Sequence, residues 1–253
     1  MNESVKYAIL DTDFVSKANI IKSNDRVLAD EVLDFPGYRF YCHQKMKDEL
    51  GDHGTRSAQE WLEKKIISGE IVCYDDNRIL KELTDAAGSY GFSYYRSFLK
   101  SACDMYDPNF YGYYFGPLDE YLQDKTPDIS CFIDVLKSCE AAIGHQQSYG
   151  EMKAFILLKS ISLIYNTQPF VFCSDDRGAR AGFANIAQIP CISILSVFLK
   201  MKIQGKAYED VAQFYQSFVD WCMYRENPQN KVKVWQFESG TWKRNRAPIQ
   251  GVL

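Results

Sequence analysis

Acidic residues fall in pairs at two points of this chain where a short apolar run stops. Tyr7-Ala-Ile-Leu10 ends in Asp11-Thr12-Asp13, and Phe170-Val-Phe-Cys173 ends in Ser174-Asp175-Asp176-Arg177. Two single carboxylates accompany them, Glu49 in Met46-Lys-Asp-Glu-Leu50 and Glu151 in Gly150-Glu-Met-Lys-Ala-Phe155. Carboxylates brought together repel and raise one another's pKa unless a cation neutralises them, and hard oxygen ligands of this kind suit Mg²⁺ or Mn²⁺. Taken singly, each has an ordinary use. Asp11, Asp13, Asp175 and Asp176 fit helix N-caps or charges at a helix's positive end, and Glu151 follows Ser148 at capping-box spacing. Glu49 fits a solvated helix face. The joint pattern is what favours a site.

The elements that must position these acids alternate. Tyr7–Leu10 reads as a strand, with a helix after it buried through Phe14, Val15, Ala18, Ile20 and Ile21. Tyr38–Cys42 reads as a second strand leading into a helix over Gln44–Leu50 that Gly51 closes, then a helix over Thr55–Ser68 and a strand over Ile71–Tyr74. The rhythm resumes with a helix over Glu151–Tyr165, a strand over Pro169–Cys173 and a helix over Asp176–Ala184. A strand over Pro190–Ile194 and a helix over Ser196–Gln204 follow. This is the pattern of an α/β fold with a mainly parallel sheet. In such a sheet the functional crevice lies beyond the carboxyl ends of the strands, where both acidic pairs fall.

Between about residues 85 and 144 the alternation breaks. Residues 90–121 hold eight Tyr and four Phe among Gly, Asp, Asn and Pro, and read as a helical insertion with its own packing. Aromatic packing or a partner interface accounts for it, as does a stacking surface for RNA. Tyr208–Tyr224 has helical spacing through Val211, Phe214, Tyr215, Phe218, Val219 and Cys222; Lys231–Phe237 and Thr241–Arg246 read as a terminal hairpin.

Residues 231–253 carry Lys231, Lys233, Lys243, Arg244 and Arg246 against Glu238, a charge of +4, so the rest of the −4 chain carries −8. Trp235, Phe237 and Trp242 lie among those bases. Cations neutralise phosphates and aromatic faces stack on unpaired bases, so the hairpin is a candidate single-strand contact; solvated bases on an edge hairpin explain it equally.

With 46% apolar residues and 25% charged, the 253-residue chain has enough apolar surface to fold as a soluble globule. Its longest apolar runs are about half what a membrane span needs, and no secretory signal is read, so the expected compartment is the cytoplasm. Eight cysteines without a C-x-x-C pair indicate reduced thiols and argue against a zinc site or a disulfide framework. Histidine-based chemistry has few candidates, only His43, His53 and His145.

Taken in order, these segments resemble the PIN domain, a nuclease family with four acids around one or two divalent ions. Tyr7-Ala-Ile-Leu-Asp-Thr-Asp-Phe-Val resembles its opening strand and D-T-N motif, Met46-Lys-Asp-Glu-Leu the helix of the second acid, and Gly150-Glu-Met-Lys-Ala-Phe its G-E-x-x-A helix start. Phe172-Cys-Ser-Asp-Asp-Arg-Gly-Ala-Arg resembles the closing T-D-D-x-x-A-R, and Ile189 to Gly205 the last strand and helix of the toxin-like branch. The match covers about residues 5–83 and 145–205. Two departures are Asp13, where the family has Asn or Ser more often, and the length of the insertion.

The resemblance implies a PIN-like three-layer sandwich with a central mainly parallel sheet, to which the residue patterns above add a helical insertion and a C-terminal helix plus hairpin. The nuclease domain spans 1–205, and 206–253 is an extension packed on it. It implies a Mg²⁺- or Mn²⁺-dependent ribonuclease in which Asp11, Glu49, Glu151 and Asp176 hold metal and a metal-activated water cleaves the phosphodiester. Asp13 and Asp175 are further ligands or support, Ser174 orients the fourth acid, and Arg177 is the expected phosphate contact; outside the resemblance, the composition of the hairpin makes Lys231, Lys233, Trp242, Lys243, Arg244 and Arg246 candidate nucleic-acid contacts. The substrate expected is single-stranded or structured RNA; an antitoxin or other protein partner and a homodimer are compatible with the toxin-like branch, and no membrane is involved. Two rivals stand beside it. Asp11-Thr-Asp-Phe-Val also fits the D-x-D-x-V opening of haloacid-dehalogenase-type phosphohydrolases, with Asp11 as nucleophile, though Glu49 and Glu151 have no role there. The other rival is a non-catalytic PIN-like module that binds RNA or protein.

Overall fold

A computed structural model of the chain describes residues 5–52, 55–124, 127–143, 149–167, 170–185, 188–225, 235–238 and 241–244. Strand β1 (Lys6–Leu10) runs into Asp11, whose extended backbone caps helix α1 (Thr12–Ile20). Two residues each of β2 (Lys22–Ser23) and β3 (Arg26–Val27) form a small antiparallel pair before α2 (Leu28–Leu33). None of these three was visible as a period, because two residues carry no alternation and six scarcely two helical turns. Strand β4 (Tyr38–His43), helices α3 (Gln44–Asp52) and α4 (Arg56–Ile67), and strand β5 (Ile71–Tyr74) then follow the expected order.

Among the described residues, helices alone fill the middle of the chain: α5 (Asp76–Ala87), α6 (Tyr90–Asp104), α7 (Phe110–Tyr114), α8 (Gly116–Asp124), α9 (Ile129–Ile143) and α10 (Tyr149–Tyr165). Strand β6 (Phe170–Cys173), helix α11 (Arg177–Asn185), strand β7 (Cys191–Ile192) and helix α12 (Ile194–Ile203) complete the alternation. Strand β7 is shorter than the sequence suggests, because the Ser193 side chain accepts from Ser196 N–H and starts α12 at Ile194. Helix α13 (Tyr208–Arg225) follows, and β8 (Trp235–Glu238) pairs antiparallel with β9 (Thr241–Arg244). Lys231, Lys233 and Arg246 lie outside the described residues, as does Ser148 of the capping box.

The main sheet has the order β5-β4-β1-β6-β7, and every pairing in it is parallel. From β1 the chain works outward on one side through β4 and β5, then crosses to the other side for β6 and β7. That reversal sets the carboxyl ends of β1 and β6 side by side, with Asp11 N–H donating to Cys173 O at 3.0 Å. Acids that follow these two strands therefore meet at the switch point of the sheet.

Alternation along the strands sorts side chains to two faces. Ala8, Leu10, Phe40, Cys42, Ile71, Val171 and Cys173 share one core with α1 to α4, α12 and α13. Ile9, Tyr41, Phe170 and Phe172 share the other with α5 to α11. The insertion's Phe92, Tyr95, Phe110, Tyr111, Phe115 and Phe132 belong to that second core. The expected separate packing is therefore not seen: the insertion helices help to cover one face of the sheet. Helices α5 and α6 touch through Gly91, where a Cβ would lie 2.6 Å from the backbone nitrogen of Thr84. Among the described residues no helix is long and apolar enough to cross a membrane, and all eight cysteines are free thiols.

Candidate active site

Asp11 sits at the end of β1 with only 6% of its surface exposed, and it accepts a hydrogen bond from Ser174 Oγ at 2.8 Å. Ser174, wholly buried after β6, also accepts from the backbone N–H of Asp176 at 3.1 Å. The hydroxyl thus clamps the first acid to the turn that carries the fourth, whereas the sequence reading had it orienting the fourth acid's carboxylate. Asp176 itself caps α11, its Oδ1 accepting from Ala179 N–H at 2.8 Å. The N-cap use and a place beside the other acids hold together for this residue.

Glu49, on α3, accepts from Thr12 Oγ1 at 2.6 Å and lies over Gly150 of α10. A Cβ at Gly150 would meet Glu49 Oε2 at 2.6 Å and Oε1 at 2.7 Å, so the missing side chain is what lets α3 and α10 bring their acids together. Glu151 follows in the first turn of α10. Burial pushes its carboxyl up to about 7, with Glu49, Asp176 and Asp13 adding repulsion. Burial likewise pushes Asp11 up to about 8, and Glu151 is the foremost charge adding to that rise. Glu151 is therefore the hub: it feels the three other predicted ligands, each delivered by a different element.

Asp13 and Asp175 are engaged differently. Lys17 Nζ donates to Asp13 Oδ2 at 2.6 Å and to Asp175 Oδ2 at 2.9 Å, so one ammonium joins both. Asp175 also accepts from Ile194 N–H at 3.2 Å. Arg180 Nη1 lies 3.8 Å from its carboxylate and donates to Ser174 O at 3.0 Å. Arg177, the predicted phosphate contact, is exposed at the start of α11. Of the hairpin residues, Trp242, Lys243 and Arg244 belong to β9.

Behind the cluster lies a buried polar network that the sequence did not announce. Lys153 is two residues after Glu151, roughly 200° around the helix, and 1% exposed. Its Nζ pairs with Asp76 at 2.7 Å and with Glu140 at 2.5 Å. Tyr95 donates to Asp76, and Tyr149 donates to Glu140 at 2.5 Å. His43 Nδ1 accepts from Lys45 N–H, which leaves the proton on Nε2, 3.3 Å from Asp76 but not aligned as a hydrogen bond. Burial alone would raise Asp76 and lower Lys153; their mutual attraction outweighs it, holding Asp76 well below and Lys153 above the ordinary range.

The donor set is all carboxylate oxygen, which fits a hard divalent cation. Hydrogen bonding engages one oxygen each of Asp11, Glu49 and Asp176. Among the described residues no three His, Cys, Asp or Glu side chains are gathered closely enough to hold a metal ion as they stand. Comparison of the chain with protein-family models, with curated proteins and with solved structures finds no significant match.

Proposed function

We propose that this chain is a PIN-type, divalent-metal-dependent ribonuclease. The observation that carries the reading is the convergence of acids from separate elements: the charge of Glu151, on α10, adds to the rise that burial gives Asp11 at the end of β1, while Glu49, Asp176 and Asp13 add to that of Glu151. Such an arrangement costs stability unless a cation offsets it, and the chain supports it with Ser174, Thr12 and the gap at Gly150. A parallel sheet with helices on both faces agrees with the three-layer PIN-like form, and the acids lie where the strand order reverses.

On this reading Asp11, Glu49, Glu151 and Asp176 hold Mg²⁺ or Mn²⁺, which when bound lowers the pKa of a water and offsets charge on the phosphate. The protein's own part is positioning. Ser174 fixes Asp11, Thr12 fixes Glu49, the α11 cap fixes Asp176, and Lys17 bridges Asp13 and Asp175 beside them. Arg177, exposed next to Asp176, is a cation open to a substrate phosphate.

The test is cleavage of RNA and DNA panels with Mg²⁺, Mn²⁺ or EDTA, comparing wild type with Asp11→Asn and Asp176→Asn. Metal-dependent cleavage of RNA that both variants lose is the expected result. Metal-independent cleavage, or full activity in both variants, would overturn the assignment. Hydrolysis of small phosphate monoesters by the same samples would point instead to a phosphohydrolase.

A further inference from the structure

Two of the eight cysteines stand side by side in the main sheet. The parallel register of β4 and β5 sets Cys42 against Cys73, and both pack on the core shared with α1 to α4, so their side chains leave the same face. Neighbouring strands run about 4.7–4.9 Å apart, inside the span of about 4.4–6.8 Å that a disulfide bridges between Cα atoms. The two sulfurs can therefore join without a change of register. Cys173 and Cys191 also lie on neighbouring strands, but there the register sets Cys173 against Ile192 and Cys191 against Phe172, and the two pack on opposite faces.

Access to the pair is graded. Cys42 is wholly buried, whereas Cys73 is half-buried and reaches the start of α3, where its Sγ donates to Gln44 Oε1 at 3.7 Å. Hydrogen bonding between the two thiols is the main influence on both. It favours the thiolate of Cys73, held below the ordinary thiol range, and with burial it holds Cys42 well above that range. Lys47 of α3 and Arg78 of α5 add to the lowering at Cys73. The sulfur that solvent can reach is thus the more readily ionised one, and a protonated thiol lies directly behind it.

We propose that Cys42 and Cys73 are a redox modification site, closing a disulfide between β4 and β5 when the chain meets a peroxide. The Cys73 thiolate attacks hydrogen peroxide, the O–O bond breaks, and one oxygen stays on the sulfur as a sulfenic acid while the other leaves as water. Cys42 then attacks that sulfur, the S–O bond breaks, and the oxygen leaves as a second water. Two thiols are oxidised and one peroxide is reduced. Cys42 needs no contact with solvent, because the atom it attacks is its neighbour in the sheet. The site stands independently of the nuclease reading. It does adjoin the acids, since β4 runs directly into α3, the helix of Glu49, and closing the bond takes away the S–H that Gln44 accepts.

The test treats the reduced full chain with an equimolar amount of hydrogen peroxide, blocks the remaining thiols with iodoacetamide and maps the peptides by mass spectrometry without reduction. A peptide pair joined through Cys42 and Cys73, and lost after dithiothreitol, is the expected result. In Cys42→Ala the Cys73 sulfenic acid should persist and be captured by dimedone, and in Cys73→Ala the Cys42 thiol should survive. Sulfenic or sulfinic acid at Cys73 of the wild type with no link to Cys42 would overturn the inference. So would Cys73 joined to another cysteine, or Cys73 left as a thiol while the exposed Cys131 is oxidised. The wild-type map decides the matter even where a variant does not fold, and because it reads no cleavage, its outcome is separate from that of the nuclease test.

Discussion

At the scale of single residues, Ser174 and Gly150 do the least conspicuous work and give the clearest predictions. Ser174 Oγ donates to Asp11 and accepts from Asp176 N–H, so Ser174→Ala releases the first acid and removes the acceptor of the Asp176 N–H. Loss of a group that orients a ligand typically costs about 10- to 100-fold in metal affinity or activity. Nuclease activity and Mn²⁺ affinity should fall together in that range, and Ser174→Thr should restore most of both; an alanine variant as active as wild type would remove Ser174 from the site. Gly150→Ala acts through Glu49, whose carboxylate is a flexible side-chain end and would give way before the backbone. We expect activity to drop while Tm moves little, with Thr12→Val giving a similar loss because it frees the same carboxylate. The four acids and Ser174 were legible because each stands in a short local signature at a strand end or helix start. The partners Thr12 and Lys17 were only half legible. Lys17 and Asp13 are four apart on α1, a spacing that announces an ion pair, but Asp175 is 158 residues away and nothing local joins it to Lys17.

At the scale of elements, the Lys153 network decides how the insertion is held to the sheet. It ties His43 at the end of β4, Asp76 at the start of α5, Tyr95 on α6, Glu140 on α9 and Tyr149 on α10 around one ammonium. None of this was readable from the sequence. A lysine in Gly150-Glu-Met-Lys-Ala-Phe155 looks like a surface charge until its partners, 77 and 13 residues away, are folded around it. Lys153→Met leaves two partly buried carboxylates without their buried cation, and breaking a buried pair costs about 3–5 kcal/mol. Thermal or urea unfolding should show a loss of that order; a loss under 1 kcal/mol would mean the network is not buried as described. The pH dependence has a definite sign. Asp76 is held below its unfolded value, so its contribution is present above about pH 4, the unfolded carboxylate pKa, and is lost as pH falls further. Acid titration of wild type should therefore show a steep loss below about pH 4 that is shallower in Lys153→Met, where Asp76 has lost its principal cation.

Over the whole molecule the same sheet produces both stability and the proposed chemistry, and the two pull against each other. Two cores clamp the strands from either side, and the reversal of strand order sets Asp11 beside Ser174. The site built there is electrostatically unfavourable when empty of cations. Asp11 is pushed up to about 8 and Glu151 to about 7, both chiefly by burial, whereas carboxylates in the unfolded chain ionise near pH 4. Between about pH 4 and pH 8 the folded state therefore holds more protons than the unfolded state, and stability in EDTA should fall as pH rises through that window. A divalent cation must displace those protons, so its affinity, and the stability it adds, should grow with pH over the same range. At a concentration 100 times its Kd a ligand adds about 2.7 kcal/mol. With Mn²⁺ held at one concentration, the rise in Tm over EDTA should be larger at pH 8 than at pH 6, and calorimetry at pH 6 should show protons released on binding. Asp11→Asn should raise Tm in EDTA at pH 8, by removing a buried charge, and should abolish most of the Mn²⁺ effect. Equal Mn²⁺ shifts at both pH values, or an Asp11→Asn variant that responds to Mn²⁺ like wild type, would mean that the carboxylates at the switch point do not take up the ion.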